Sequence, residues 1–72
     1  MRSIYRDDYR RIIKRLKAAR LEAGLTQVQV AKKLRKHQSY ISKVECGERR
    51  LDIIEVKEIA ALYGKKLADF DD

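Results

Sequence analysis

The amino-acid sequence predicts an all-α domain, a compact bundle of about five helical segments, from three observations. The chain contains no proline and only three glycines. Each glycine follows a stretch whose apolar residues recur at steps of three and four, the spacing of one helix face. No stretch alternates with the period of two that a half-buried strand requires.

The first segment is predicted from about Asp7, or from Ser3 if the helix starts a turn earlier, to Ala23. Tyr5, Tyr9, Ile12, Leu16, Ala19 and Ala23 make its apolar stripe, Asp7 and Asp8 suit its amino end, and Gly24 closes it. The second runs from Gln27 to Leu34, opened by a Thr26-x-x-Gln29 capping box with Leu25 stapled onto Val30. It is barely two turns long, so packing of Val30, Ala31 and Leu34 must hold it. The third spans Gln38 to Cys46 and is closed by Gly47. At 100° per residue, Ile41, Val44 and Glu45 fall on one side of it, and Ser39, Ser42, Lys43 and Cys46 on the other. The fourth, Ile53 to Tyr63, has a second capping box in Asp52 and Glu55, a staple from Leu51 to Val56, a stripe of Val56, Ile59, Ala60 and Tyr63, and Gly64 at its end. A last apolar turn around Leu67 and Phe70 completes the chain.

Seventy-two residues allow one domain, taken here as 1–72, with one small core. Cys46 stands alone, which excludes an intrachain disulfide. With His37 it supplies too few soft ligands for a metal site. That leaves homodimerisation as the expected source of extra stability, with Leu67, Phe70, Ile53 and Ile54 as interface candidates. No apolar run approaches the ~20 residues of a membrane span and no signal-peptide pattern opens the chain, so a cytoplasmic protein is expected. Net charge is +7 and uneven. Residues 1–24 carry eight basic and three acidic groups, residues 25–50 seven and two, and residues 51–72 three and six. A basic body with an acidic tail suits a polyanion on one face; charge alone does not separate that from simple solubility.

Two features point to function. Only Arg35, Lys36 and His37 separate the second and third segments, the short connection of a helix-turn-helix unit over about residues 26–46. The outward arc of the third segment is short and polar. The basic turn also runs against the partial positive charge at a helix amino end, a preference of roughly 0.3–1 kcal/mol per group.

At residues 20–62 the sequence resembles the Cro/repressor-type (Xre-like) helix-turn-helix DNA-binding proteins of phages and bacteria, most closely their small one-domain members. The matching residues are Gly24-Leu25-Thr26-Gln27, Ala31, Leu34, Ser39-Tyr40-Ile41-Ser42, Glu45, Gly47 and Asp52. The resemblance implies a five-helix bundle whose third helix enters the major groove, and a transcriptional regulator, commonly a dimeric repressor on a palindromic site. The chain departs from the family at the turn, with Arg35 where members usually have Gly and His37 where many have a capping Ser or Thr. An external phosphate arriving there would account for cations that their own helix disfavours.

With that resemblance, Gln38, Ser39 and Lys43, and Ser42 nearer the edge of the arc, are the base-contact candidates, because Gln suits adenine, Lys suits guanine and Ser serves several bases. Thr26, Gln27, Arg35, Lys36, His37, Tyr40, Arg49 and Arg50 are the DNA-backbone candidates. For each of these the alternative is an ordinary solvated residue, and for Thr26 a cap. Family members carry an Arg at the position of Arg20 that pairs with Glu45, which implies an ion pair between the first and third helices. His37 reads as a polar turn residue and Cys46 as a bystander thiol, with pH or redox sensing as the alternatives.

The expected partner is double-stranded DNA, with no cofactor, metal or small-molecule ligand and no enzymatic activity, because no nucleophile-base set or phosphate-cradling glycine loop occurs. A DNA-binding antitoxin or a restriction-modification controller fits the same residues. A function of another class also competes, since "YRRIIKRLKAARL" is a basic amphipathic helix of the kind that binds membranes or partner proteins.

Overall fold

The computed structural model describes residues 4–70, with side chains from residue 7 onward. Four α-helices and a terminal 3₁₀ turn follow in order: α1 Ile4–Glu22, α2 Gln27–Leu34, α3 Gln38–Glu45, α4 Ile53–Leu62 and the turn Leu67–Phe70. No strand occurs among the described residues. The fold is all-α, with four true helices where the sequence suggests about five. The fifth segment is one 3₁₀ turn, too short to be a helix of its own. The Ser3 start and the Tyr5 side chain lie outside what is described.

Both capping boxes form. Thr26 Oγ1 accepts from the Gln29 amide at 3.1 Å while the Gln29 side chain accepts from the Thr26 amide at 2.8 Å. Asp52 and Glu55 reciprocate at 2.7 and 2.9 Å at the head of α4. Each box satisfies amide groups that the first helical turn leaves without a carbonyl.

All four helices end in the same closure, in which one amide bonds back five residues and its neighbour three. At α1 these are Leu25 to Arg20 and Gly24 to Leu21, at 3.1 and 3.0 Å. At α2 they are Lys36 to Ala31 and Arg35 to Lys32, at 2.8 and 3.1 Å. The closure needs a left-handed residue, and Gly24, Gly47 and Gly64 supply it at φ 75°, 87° and 73°. At α2 the residue is Arg35, at φ 59°. Because the closing residue lies beyond the helix, α3 and α4 stop at Glu45 and Leu62, and Cys46 and Tyr63 become caps instead of last helical residues.

The core joins Ile13, Leu16 and Ala19 of α1 to Val30 and Ala31, Ile41 and Val44, and Val56, Ile59 and Ala60, with Leu51, Tyr63 and Phe70 closing it. Two sequence expectations need correction. Ala23 is exposed, because α1 has already turned at Glu22, and the buried stripe passes through Ile13, with Ile12 only half-buried. Phe70 is buried and Leu67 half-buried, so of the four proposed interface residues only Ile53 and Ile54 remain exposed, at 61% and 57%. The α1 stripe that a membrane would need is consumed by this core. No helix among the described residues is long and apolar enough to cross a membrane.

Tyr63 packs beside the Arg20–Glu45 pair. Burial pushes its phenol up to about 12 from the ordinary 10.0; the negative charge of Glu45 adds to the shift and Arg20 opposes it. The folded-state value therefore lies above the unfolded one, so the stability that Tyr63 contributes is complete below pH 10 and is lost as pH rises toward 12. Denaturant unfolding should register a loss on the order of 2 kcal/mol across that window. Tyr63→Phe should remove most of this dependence.

Candidate nucleic-acid interface

α3 is positioned by burial along one edge. Ile41 and Val44 are each 1% exposed, which rotates the opposite arc outward. Ser39 and Lys43 are exposed on that arc, Gln38 is exposed at the tip of the helix, and Ser42 at the margin of the arc is half-buried. Thr26, Arg35, Lys36, His37, Arg49 and Arg50 are also exposed, and Gln27 and Tyr40 are half-buried. His37 begins α3 with extended backbone and gives it no side-chain cap.

Glu45 lies on the buried edge with its charge paired. Arg20 Nε donates to Glu45 Oε2 at 2.7 Å and Arg20 Nη2 to Oε1 at 3.0 Å, each side chain being only 7% exposed. Arg20 also donates to the Leu25 carbonyl at 2.8 Å. The hydrogen bond to Glu45 raises the guanidinium pKa above its usual value, burial acting in the opposite sense. One side chain of α1 thereby anchors both α3 and the entry to α2.

Three arrangements escaped the sequence reading. Gln27, assigned there only to the DNA backbone, donates from Nε2 to Glu45 Oε1 at 3.0 Å and accepts at Oε1 from Gln38 Nε2 at 2.7 Å. Residues 27 and 45 are too far apart in sequence for a local pattern to signal this. Tyr40 carries Lys36 Nζ and the Arg49 guanidinium, each 5.1 Å from its ring centre. Its hydroxyl lies 3.5 Å from Glu55 Oε2, which also accepts from Arg49 at 3.4 Å. Burial, reinforced by Glu55, raises the Tyr40 pKa. Arg50 lies 4.4 Å over the ring of Tyr9, whose hydroxyl accepts from the Leu51 amide at 3.0 Å. Tyr9, placed by the sequence on the apolar stripe of the first segment, thus fixes the loop that carries Arg49 and Arg50.

The assembly is a short helix held against two others by its apolar edge, a three-residue basic turn, and an exposed polar arc with cations at both ends. The sequence model of a family described as helix-turn-helix matches residues 16–70. The chain belongs to the Cro/Xre-type helix-turn-helix family. No curated protein and no solved structure matches it. A Cro/Xre-type helix-turn-helix protein is a DNA-binding regulator of transcription, and the family is not typically enzymatic. No group of three or more metal-ligating side chains gathers among the described residues. Cys46 is an exposed free thiol, its Sγ 3.5 Å from the Lys43 carbonyl.

Two substitutions test this framework. Glu45→Ala leaves a buried guanidinium with one carbonyl partner and should destabilise the fold by about 3–5 kcal/mol in urea unfolding. Arg35→Gly relieves a left-handed non-glycine residue that costs on the order of 1–2 kcal/mol, offset by the greater freedom of Gly in the unfolded chain. The melting temperature should therefore rise, by the equivalent of roughly 0.5–1 kcal/mol.

Proposed function

We propose that this helix-turn-helix protein is a repressor that binds a palindromic duplex operator as a homodimer, with α3 in the major groove. The observation that carries this reading is the exposed arc of Gln38, Ser39 and Lys43 on a helix whose opposite edge is sealed into the core. An α-helix with its side chains is about 10–12 Å across, which the ~12 Å width of the groove admits. On this reading Gln38 presents its amide to adenine, Lys43 takes an acceptor base such as guanine, and Ser39 and Ser42 pair with neighbouring bases.

The DNA backbone is held on both sides of that helix. Thr26 and Gln27 lie at the amino end of α2, where first-turn amides suit a phosphate. Arg35, Lys36, His37 and Tyr40 meet one strand, and Arg49 and Arg50 meet the flanking backbone. Tyr40 and Tyr9 hold Lys36, Arg49 and Arg50 against aromatic rings, so less side-chain freedom is lost when phosphate arrives. One short helix reads only one half-site, and a two-fold pair of protomers reads two, spaced about one helical turn apart. Ile53 and Ile54, adjacent and exposed at the head of α4, offer apolar surface to the second copy. Repression then follows from occupancy of a promoter.

Selection of bound sequences from random duplexes should return a palindrome, and a single-site result with a monomeric complex would refute the dimer. Gln38→Ala should alter base preference at one position of each half-site. Lys36→Ala should weaken binding to every sequence alike and reduce the slope of log K against log salt by about 0.9 per protomer, one phosphate's share.

A further inference from the structure

A cleft of about 570 Å³ separates the amino half of α1 from the loop between α3 and α4. Its volume falls within the range of roughly 300–1,000 Å³ typical of small-molecule sites. Buried Ile13 and half-buried Tyr9 supply apolar surface. The exposed Arg10 and Lys14, one turn apart on α1, and Arg50 from the loop add three positive charges. Glu48 adds one negative charge; Glu45, which also borders the cleft, is spent on Arg20 and Gln27. Three cations against the one carboxylate of Glu48 leave an excess of two positive charges. Among the described residues Arg10 and Lys14 have no ion-pair partner, whereas Arg11, Arg20, Arg49 and Lys65 each have one. The sequence reading expected no small-molecule ligand, because the cleft joins residues 9–14 to residues 45–50 and no local pattern records it.

From this lining we infer that the cleft is an effector site for a small phosphate monoester with an apolar or aromatic body. A phosphoryl group carries a charge of about −1.5 to −2 at pH 7 and three strong acceptor oxygens. That matches the charge excess and offers one oxygen to each of Arg10, Lys14 and Arg50, while the organic part lies against Ile13 and Tyr9. The backbone of a duplex offers the same phosphoryl chemistry with a single charge per group, and the experiment below separates the two sources. Regulation follows from Arg50. It lies 4.4 Å over the Tyr9 ring and belongs to the proposed contacts with the DNA backbone. A monoester in the cleft draws Arg50 away from the duplex, so occupancy lowers DNA affinity. This consequence rests on the DNA reading, whereas the site itself does not.

The chain's only cysteine, Cys46, borders the cleft as an exposed thiol and reports its occupancy. Phenyl phosphate is the probe, with phenol as its uncharged counterpart and sodium chloride to match ionic strength. At millimolar concentration phenyl phosphate should slow alkylation of Cys46 by iodoacetamide severalfold and saturably, and phenol should not. Arg10→Gln/Lys14→Gln should lose that protection at an unchanged melting temperature, because both side chains are exposed. On the duplex enriched by selection, phenyl phosphate should weaken wild-type binding severalfold and leave binding of the double variant unaltered. Alkylation that phenyl phosphate does not slow, or slows equally in the double variant, overturns the site. Protection with undiminished duplex binding overturns the effector role. A double variant whose slope of log K against log salt falls without any probe assigns Arg10 and Lys14 to the duplex backbone, and this also overturns the inference. Thiol protection in a chain that enriches no duplex upholds the site and overturns the DNA reading alone.

Discussion

Arg20 and Glu45 meet almost out of water, and the position of α3 depends on their meeting. α3 has eight residues, too few to be stable by itself, so its place is set from outside. Ile41 and Val44 press it against the core, but two apolar contacts on a cylinder still permit some rotation about its axis. The paired carboxylate removes that freedom. Two charge-assisted hydrogen bonds in a planar fork tolerate little angular error, and they fix the arc that faces away from the core. Arg20 reaches the Leu25 carbonyl as well, so the same guanidinium sets the approach of the chain to α2. A hydrophobic replacement could fill this space with comparable stability. It could not hand a hydrogen-bond direction on to Gln27.

The electrostatics of the surface are consistent with this division of labour. Several of the cations around α3 already have a place in the isolated protein: Arg49 and Lys36 on Tyr40, Arg50 on Tyr9, and Arg49 also beside Glu55. Exposed pairs and ring contacts of this type contribute little to stability, because water screens them. Their effect is on geometry and freedom. They hold long side chains near one orientation on a surface whose partner would be polyanionic. Glu55 belongs to the α4 capping box through one oxygen and touches Arg49 and Tyr40 through the other. The α3–α4 loop is therefore tied to a helix terminus, and its cations are carried on a firm base.

Much of this architecture was legible in the sequence. The capping boxes of α2 and α4, the glycine closures and the bounds of α2 are all local patterns, written within four or five residues. The errors within α1 are equally local in origin. Periodicity carried α1 one residue too far, through Ala23, because a closing motif places its last apolar residue outside the helix. The same periodicity favoured Ile12 over Ile13, since adjacent apolar residues satisfy it nearly equally. Leu67 and Phe70 looked surplus to a small core until their turn folded back onto it, a long-range fact that no window contains. The candidate site divides in the same way. Exposure of Ser39 and Lys43 followed from helical angle, whereas the Gln27 link to Glu45 and the Tyr9 link to Leu51 span 18 and 42 residues and left no mark in the chain.

The turn between α2 and α3 is the one place where local rules and the fold disagree. Because all four helix ends close with the same pair of hydrogen bonds, backbone geometry cannot explain why one of them lacks glycine. Arg35 meets the same left-handed demand as Gly24, Gly47 and Gly64 and pays a steric cost that they avoid. Two residues later His37 leaves α3 without a side-chain cap, and the three turn residues place basic groups at a helix end that favours anions. Strain, a missing cap and an adverse dipole coincide within three residues, in a chain that elsewhere follows the rules of capping and closure. Such a concentration of local conflict is expected where a sequence serves a partner as well as its own fold. A phosphate at this turn would accept from the uncapped amides, neutralise the cations and favour the orientation of α3 at one stroke. On the proposed reading, the three costs in the isolated protein are the complement of a single anionic ligand.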